Sequence, residues 1–139
     1  MLNLKKYKDQ HDDIFKLIRK ISETLDENKI ALDATEIKNV FDGLVSKLKV
    51  HFAMEEDNLY LKLEKSENPE IIEAFDKFTF EMNEVYVVFN NFIDDWIDVE
   101  NVQNNSKQYV SEMQNLFAKL FNHLEKEETI LYPLAEKHG

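Results

Sequence analysis

Four long stretches of the sequence repeat apolar residues at spacings of three and four, and this periodicity constrains the fold more than any other feature. Residues spaced in this way share one face of an α-helix, because a helix turns once in about 3.6 residues. The four faces cover residues 4–25, 37–59, 75–96 and 109–134. Four such helices joined by short connections predict an all-α fold, an antiparallel up-down-up-down four-helix bundle.

Local sequence signals predict where these helices begin and end. Asp33 is a candidate N-cap for the second helix, which is expected to end near Ser66. Asn68 and Pro69 form a strong helix start, since asparagine caps free amide groups and proline suits the first helical position. The polar stretch 100–106 interrupts the pattern between the third and fourth helices.

The composition bounds the class of protein. With 139 residues the chain fits one domain, spanning 1–139, and two glycines and two prolines leave little room for the turns of a β-sandwich. A net charge of −11 argues against nucleic acid and anionic membrane surfaces as partners, because both require a basic face. The absence of cysteine excludes disulfides, iron–sulfur ligation and thiol nucleophiles. The first thirty residues contain no apolar run of signal-peptide length, so a cytoplasmic location is predicted.

Five polar residues lie on the faces that should be apolar. His11, His51 and His123 occupy core positions of the first, second and fourth helices. Glu55 and Glu127 follow two of these histidines by one helical turn, on the same face. An ionised carboxylate in a bundle core costs several kcal/mol, as an order of magnitude, unless it is paired or binds a metal. Two in one small core therefore require a common explanation.

The sequence repeats one polar phrase, and this repetition argues against chance. Residues 51–60 and 123–132 both read H-x-x-x-E-E-x-x-L-Y. A lone histidine on an apolar face is usually a hydrogen-bonded core residue, and a single histidine–acid pair arises easily in a chain with 28 acidic residues. Two copies with identical offsets, both on predicted inner faces, favour a shared functional site.

The repeat also relates the two halves of the chain. Subtracting 71 or 72 residues places the fourth helix over the second and the third over the first, so that Met82 corresponds to His11. Histidines and carboxylates projecting into a bundle are the arrangement that holds a pair of iron or manganese ions, and closed zinc sites would favour cysteine. Glu56 and Glu128 are interpreted as solvated residues at the bundle edge, with hydrogen bonding to histidine N–H groups as the alternative.

With these residues the chain resembles the hemerythrin family in its HHE cation-binding form, over nearly its whole length. The resemblance rests on His11, on the two phrases at 51–56 and 123–128, and on the ending Leu131-Tyr132-Pro133. It implies a non-haem di-iron centre bridged by Glu55 and Glu127, with His51 and His123 as terminal ligands and His11 joining them. Members of the family bind dioxygen, sense oxygen or iron, or handle nitric oxide and repair iron–sulfur clusters.

The chain departs from the family pattern on the third helix. The family places a histidine there, whereas this sequence has Met82, and a thioether is a poor ligand for ferric iron. The second metal position would then be open to water or substrate, or be completed by Glu81, Glu84 or Tyr7. The site would otherwise hold one metal or none, and Met82 would be a core residue.

Three functions remain open from the sequence. The leading hypothesis is a metal-binding protein with two non-haem irons that binds or senses dioxygen or a related diatomic. Manganese and zinc are less favoured as the metal. An open coordination position would instead suit an enzyme that reduces dioxygen, peroxide or nitric oxide. The third hypothesis is a degenerate bundle that binds one metal or none and acts through a protein partner.

The departure at residue 82 gives a direct test. If Met82 marks a vacated ligand position, Met82→His should raise metal occupancy or shift the iron absorption spectrum, because imidazole binds iron better than a thioether does. Metal analysis and absorption spectroscopy after anaerobic reconstitution with ferrous iron would measure both. An unaltered protein would show that residue 82 does not face the site.

Overall fold

A computed structural model describes residues 4–23 and 25–138, and within these ranges all regular structure is helical. Two of the helical stretches contain short π-helical segments, here called the first and second π turns. In chain order the elements are α1 (Leu4–Glu23), α2 (Glu27–Met54), the first π turn (Glu55–Tyr60), α3 (Leu61–Glu64), α4 (Pro69–Asp95), α5 (Val99–Asn104), α6 (Ser106–Lys126), the second π turn (Glu127–Leu131) and α7 (Tyr132–His138).

The order of contacts between helices confirms the predicted four-helix bundle. Along the boundary of α2 and α4, Phe41 packs on Phe92 while Phe52, further along α2, packs on Tyr86, which comes earlier in α4. Neighbouring helices therefore run antiparallel. The other boundaries follow the same rule, through the pairs Tyr7–Met54, His11–His51, Asn68–His138, Glu81–Lys126 and Phe92–Tyr109.

The predicted inner faces form the core. Leu44 and Leu48 of α2 and Leu116 and Leu120 of α6 are completely buried, as spacings of three and four require. Of the predicted apolar positions, the half-buried ones lie near helix ends, where the bundle is open: Leu25, Phe75 and Leu134. None of the described helices combines the length and the apolar composition needed to cross a lipid bilayer.

The start of the second helix differs from the prediction. α2 begins at Glu27 rather than after Asp33, and Asp26 caps it by accepting hydrogen bonds from the amides of Asn28 and Lys29. Asp33 lies inside the helix at a kink, with φ −124° and ψ 36°. The capping signal at Asp33 thus marks a bend, since the backbone leaves helical geometry there without ending the helix.

The remaining boundaries combine one confirmation and one difference. Asn68 caps α4 as predicted, with its side-chain oxygen accepting from the Glu70 amide at 2.9 Å. The polar stretch 100–106, predicted only to interrupt the pattern, contains most of the short helix α5. A single apolar residue there, Val102, is completely buried, and one buried residue gives no periodicity to detect.

Two leucines of α2 test how the bundle gains its stability. Leu44→Ala should lower the free energy of unfolding by about 2–5 kcal/mol, because it leaves a cavity in a completely buried position. The matched control Leu32→Ala, on the same helix but 84% exposed, should change it by less than about 0.5 kcal/mol. Urea unfolding followed by circular dichroism measures both. Equal changes in the free energy of unfolding would mean that the inner face of α2 does not pack in the core.

Candidate metal centre

The five polar residues of the predicted inner faces are all brought into the core. His11 lies in the middle of α1, His51 near the end of α2 and His123 near the end of α6. Glu55 and Glu127 are the first residues of the two π turns. Four of the five side chains are completely buried and His123 is 2% exposed, so their charges and lone pairs must be satisfied within the protein.

Each glutamate stands where α-helical geometry changes to π-helical geometry. In both copies of the repeated phrase the π turn begins four residues after the histidine. The carbonyl of Met54, just before the first π turn, accepts from the side-chain amide of Asn58 at 2.9 Å. Single π turns inside α-helices occur frequently at functional sites. The repeated phrase was visible in the sequence, but no signal in it specifies the change of helical register.

Four of these residues converge on one point. One ligand atom from each of His11, His51, Glu55 and Glu127 lies within 4.8 Å of the others. The Nε2 atoms of His11 and His51 are 2.9 Å apart, and Glu127 Oε1 is 3.4 Å from His11 Nε2. Glu55 Oε1 contacts His51 Nε2 directly. The cluster thus contains two imidazole nitrogens and two carboxylate oxygens.

Outer hydrogen bonds determine how the two imidazoles face the cluster. His51 Nδ1 lies 2.7 Å from Gln10 Oε1, and because an amide oxygen only accepts, Nδ1 must carry the proton. His11 Nδ1 lies 3.1 Å from Glu128 Oε1, and a carboxylate likewise accepts. In its neutral form each imidazole therefore presents its Nε2 lone pair to the cluster. Glu128 thus has the alternative role predicted for it, hydrogen bonding to a histidine N–H, rather than the solvated one.

The arrangement fits a bound cation. The two Nε2 atoms lie 2.9 Å apart, with the Tyr132 hydroxyl 3.0 Å from His11 Nε2, and a cation beside both nitrogens would offset the repulsion between their lone pairs. Glu55 Oε1 and Glu127 Oε1 are buried and make no hydrogen bond in the described part of the chain, so these oxygens too are available as metal ligands. Imidazole nitrogen and carboxylate oxygen are suitable ligands for iron, manganese and zinc. A cation at this point would satisfy all four groups together.

The tyrosine that ends each phrase contacts the glutamate of the other phrase. Tyr60 donates to Glu127 Oε2 at 2.8 Å, and Tyr132 donates to Glu55 Oε2 at 3.1 Å. Burial, reinforced by the two carboxylates, raises the pKa of both phenols, so they remain protonated donors. The crossed pairs orient both glutamates, and they explain why a tyrosine recurs at the same offset in each phrase.

The two glutamates share the site unequally without a metal. Burial raises the pKa of Glu55 well above its usual range, and the neighbouring carboxylate Glu127 raises it further. Burial also favours the neutral form of Glu127, but contacts with Glu55, His11 and His51 lower its pKa below the usual range. These opposite shifts favour the protonated form of Glu55 and the ionised form of Glu127. Burial also lowers the pKa of His51, which keeps that imidazole neutral and able to bind metal.

His123 lies beside the cluster rather than in it. Its Nε2 is 3.7 Å from Glu127 Oε2, on the opposite carboxylate oxygen from the one that faces His11. Neither of its ring nitrogens makes a hydrogen bond within the described residues, although the residue is only 2% exposed. Burial lowers its pKa. A buried neutral imidazole whose two nitrogens make no hydrogen bond is a costly group.

The three additional candidates lie around the site in different ways. The Tyr7 hydroxyl points to the Met54 carbonyl at 3.5 Å, while its ring packs edge-on against His51. Glu81 forms an ion pair with Lys126 at 3.1 Å at the edge of a surface cavity. Met82 is buried and lines a surface cavity of about 130 Å³. A ligand role for these three stays a prediction.

The fold and the geometry define a class of protein: a four-helix bundle with a buried histidine–glutamate cluster suited to a cation. The chain belongs to the hemerythrin HHE cation-binding domain family, whose model matches residues 3–135. The family resemblance seen in the sequence is thereby confirmed, and cation binding is the function that the family implies. Comparisons with curated proteins and with solved structures gave no match.

Glu55 should reduce stability in the metal-free protein. Glu55→Gln should raise the free energy of unfolding by about 1–3 kcal/mol, because it replaces a buried acid by a neutral group of similar shape. Since the folded-state pKa of Glu55 is raised, the wild type loses stability as the pH rises above its usual value of 4.5, and the variant does not. The gain should therefore increase with pH.

Urea unfolding of chelator-treated protein at several pH values measures this effect, with the exposed Glu125→Gln as the control. The same variant should bind metal more weakly, because an amide oxygen is a poorer ligand than a carboxylate. A destabilised metal-free Glu55→Gln protein would contradict the assigned cost of the buried acid.

Proposed function

We propose that this chain is a non-haem iron protein that binds or senses dioxygen or a related diatomic, with two metal positions of unequal completeness. The family supports cation binding, and the ligand set supports iron. The observation that carries the proposal is the division of one carboxylate between two groups of histidines. Glu127 Oε1 faces His11 at 3.4 Å, while Glu127 Oε2 faces His123 at 3.7 Å.

The first position is the complete one. His11, His51, Glu55 and Glu127 each offer one donor atom, so a single ion there would have four protein ligands. Both imidazoles are held in the tautomer that ligation needs by Glu128 and Gln10, and both glutamates are oriented by tyrosines. Preorganisation of this kind increases metal affinity, because the ligands lose little freedom on binding.

The second position is less complete. His123 and Glu127 Oε2 are the donors that the geometry supplies, and the third-helix position expected to add a histidine holds Met82. An ion there would retain open coordination positions, which is where a diatomic ligand would bind. A pair of iron ions supplies electrons that a bound diatomic can accept from both metals. Phe78, packed 6.2 Å from the His123 ring, and Phe52, packed 5.8 Å from the His51 ring, exclude water from the two sides.

Two further functions follow from the same asymmetry. An open position suits an enzyme that reduces dioxygen, peroxide or nitric oxide, and the half-complete second position suits a protein that holds one metal only. A carrier should release dioxygen intact when its pressure is lowered, whereas an enzyme should consume it when a reductant is added. A cytoplasmic location and a protein partner for signalling stay predictions.

Metal titration of single-histidine variants tests the two positions. Ferrous iron added anaerobically to the wild type should bind at two ions per chain, in a tight step and a weaker one. His123→Ala should remove the weaker step alone, because His123 does not contribute to the four-ligand cluster. His51→Ala should remove the tight step. The exposed His138→Ala is the matched control, and both steps should persist in it.

The outcomes separate the alternatives. One ion per chain, unaffected by His123→Ala, would replace the di-iron proposal by a single-metal protein. Failure of the wild type to bind iron, manganese or zinc would indicate the degenerate bundle. Two bound ions without any change in absorption on adding dioxygen, nitric oxide or azide would contradict the diatomic ligand while leaving the metal sites in place.

A further inference from the structure

Gln10 of α1 connects a surface groove to the metal cluster. The groove, of about 300 Å³, lies between α1 and α2, and the Gln10 side chain forms part of its wall. On its inner side the Gln10 amide accepts from His51 Nδ1 at 2.7 Å, which is the shortest polar contact that His51 makes outside the cluster. Gln10 is thus the polar group through which His51 is held from outside.

The other end of the same amide determines its orientation. Gln10 Nε2 donates to the thioether Sδ of Met54 at 3.0 Å. A thioether sulfur only accepts, and weakly, so the NH₂ group must face Met54 and the carbonyl oxygen must face His51. The reversed amide would direct two N–H groups at His51 and force its proton onto Nε2. Met54 thereby fixes the direction of the amide, and the amide fixes the tautomer of the imidazole.

We propose that Gln10 is a positioning residue of the metal site, which holds His51 with its Nε2 lone pair toward the cation, and that Met54 anchors it. This inference rests on the proposed role of His51 as a ligand. Both residues of the Gln10–Met54 contact are direct neighbours in sequence of residues in the cluster. Gln10 directly precedes His11 in α1, and Met54 directly precedes Glu55 at the first π turn.

The tautomer of His51 can be read without any metal. In chelator-treated protein at pH 8, ¹⁵N NMR of the histidine rings should show His51 protonated at Nδ1 in the wild type. Gln10→Leu should move the proton to Nε2 or give a mixture, because the acceptor for Nδ1 is lost. Gln10→Glu should restore the wild-type tautomer, since a carboxylate accepts from Nδ1. His11 is an internal reference, because its Nδ1 faces Glu128 and should not change.

Metal affinity is the second readout. Gln10→Leu should weaken binding at the tight position by about 10- to 100-fold, as loss of an outer hydrogen bond to a ligating histidine typically does, and Gln10→Glu should recover most of it. Met54→Leu, which keeps the volume and removes the acceptor, should weaken binding by a smaller factor. Ser46→Ala, in the wall of the same groove, should leave affinity unchanged. Chelator competition with ferrous iron or Co²⁺ measures these affinities.

The two readouts distinguish this proposal from the function on which it rests. If His51 keeps its Nδ1 proton in folded Gln10→Leu, or if Gln10→Glu fails to restore it, Gln10 does not position the ring and the proposal is wrong. If Gln10→Leu does not fold, an unchanged affinity in Met54→Leu together with a lowered one in Gln10→Glu would overturn it equally. A wild type with the expected tautomer that binds no metal would contradict the proposed function instead.

Discussion

The burial of two carboxylates in an apolar helical core is the constraint on which the rest of this structure depends. Glu55 and Glu127 are completely buried, and an acid in such a place is stable only with a proton, a donor or a cation nearby. The surrounding residues supply the first two in part. Tyr60 and Tyr132 each donate one hydrogen bond, and burial raises the pKa of Glu55, which favours its protonated form. One oxygen of each acid remains without a donor, and those oxygens face the histidine nitrogens. The cation site is thus the part of the core that the protein alone leaves electrostatically incomplete.

The two copies of the repeated phrase contact each other through crossed hydrogen bonds. Each copy contributes a buried glutamate to the cluster, the first copy also contributes His51, and each copy's tyrosine donates to the glutamate of the other copy. Antiparallel packing makes this exchange possible, since it brings the ends of α2 and α6 together at one end of the bundle. The symmetry ends at the outer hydrogen bonds. Gln10 holds His51 and Glu128 holds His11, whereas His123 has no hydrogen-bonded partner among the described residues. His123 therefore differs from the other two buried histidines in that no hydrogen bond from the described part of the chain holds its ring.

Most of the fold was predictable, and the exceptions have local causes. Long amphipathic repeats identify helices reliably, because each additional turn places another apolar residue on the same face. The capping signal at Asp33 predicts a helix start, but the structure has a kink there. A capping signal cannot show whether the chain before it is also helical. Helix α5 was missed, because a six-residue helix with one fully buried side chain has no period. The five polar core residues were identified from the same pattern, as departures from it. Among their outer partners, the sequence offers Glu128 only as an alternative and gives no signal for Gln10, because both are ordinary polar residues on helix surfaces until another helix packs against them.

The sequence by itself determined the four helices, the inner faces and the identity of the buried histidines and glutamates, because these depend on residue type and on spacing along a single helix. Only the tertiary structure decided how those residues are grouped. It brought the Nε2 atoms of His11 and His51 to 2.9 Å from each other, and it placed His123 beside the other oxygen of Glu127. It also introduced the two π turns and the Met54–Gln10–His51 contacts. These features depend on the relative positions of the helices to within about an ångström. Such positions are set by packing between different segments, and residue spacing within one segment does not encode them.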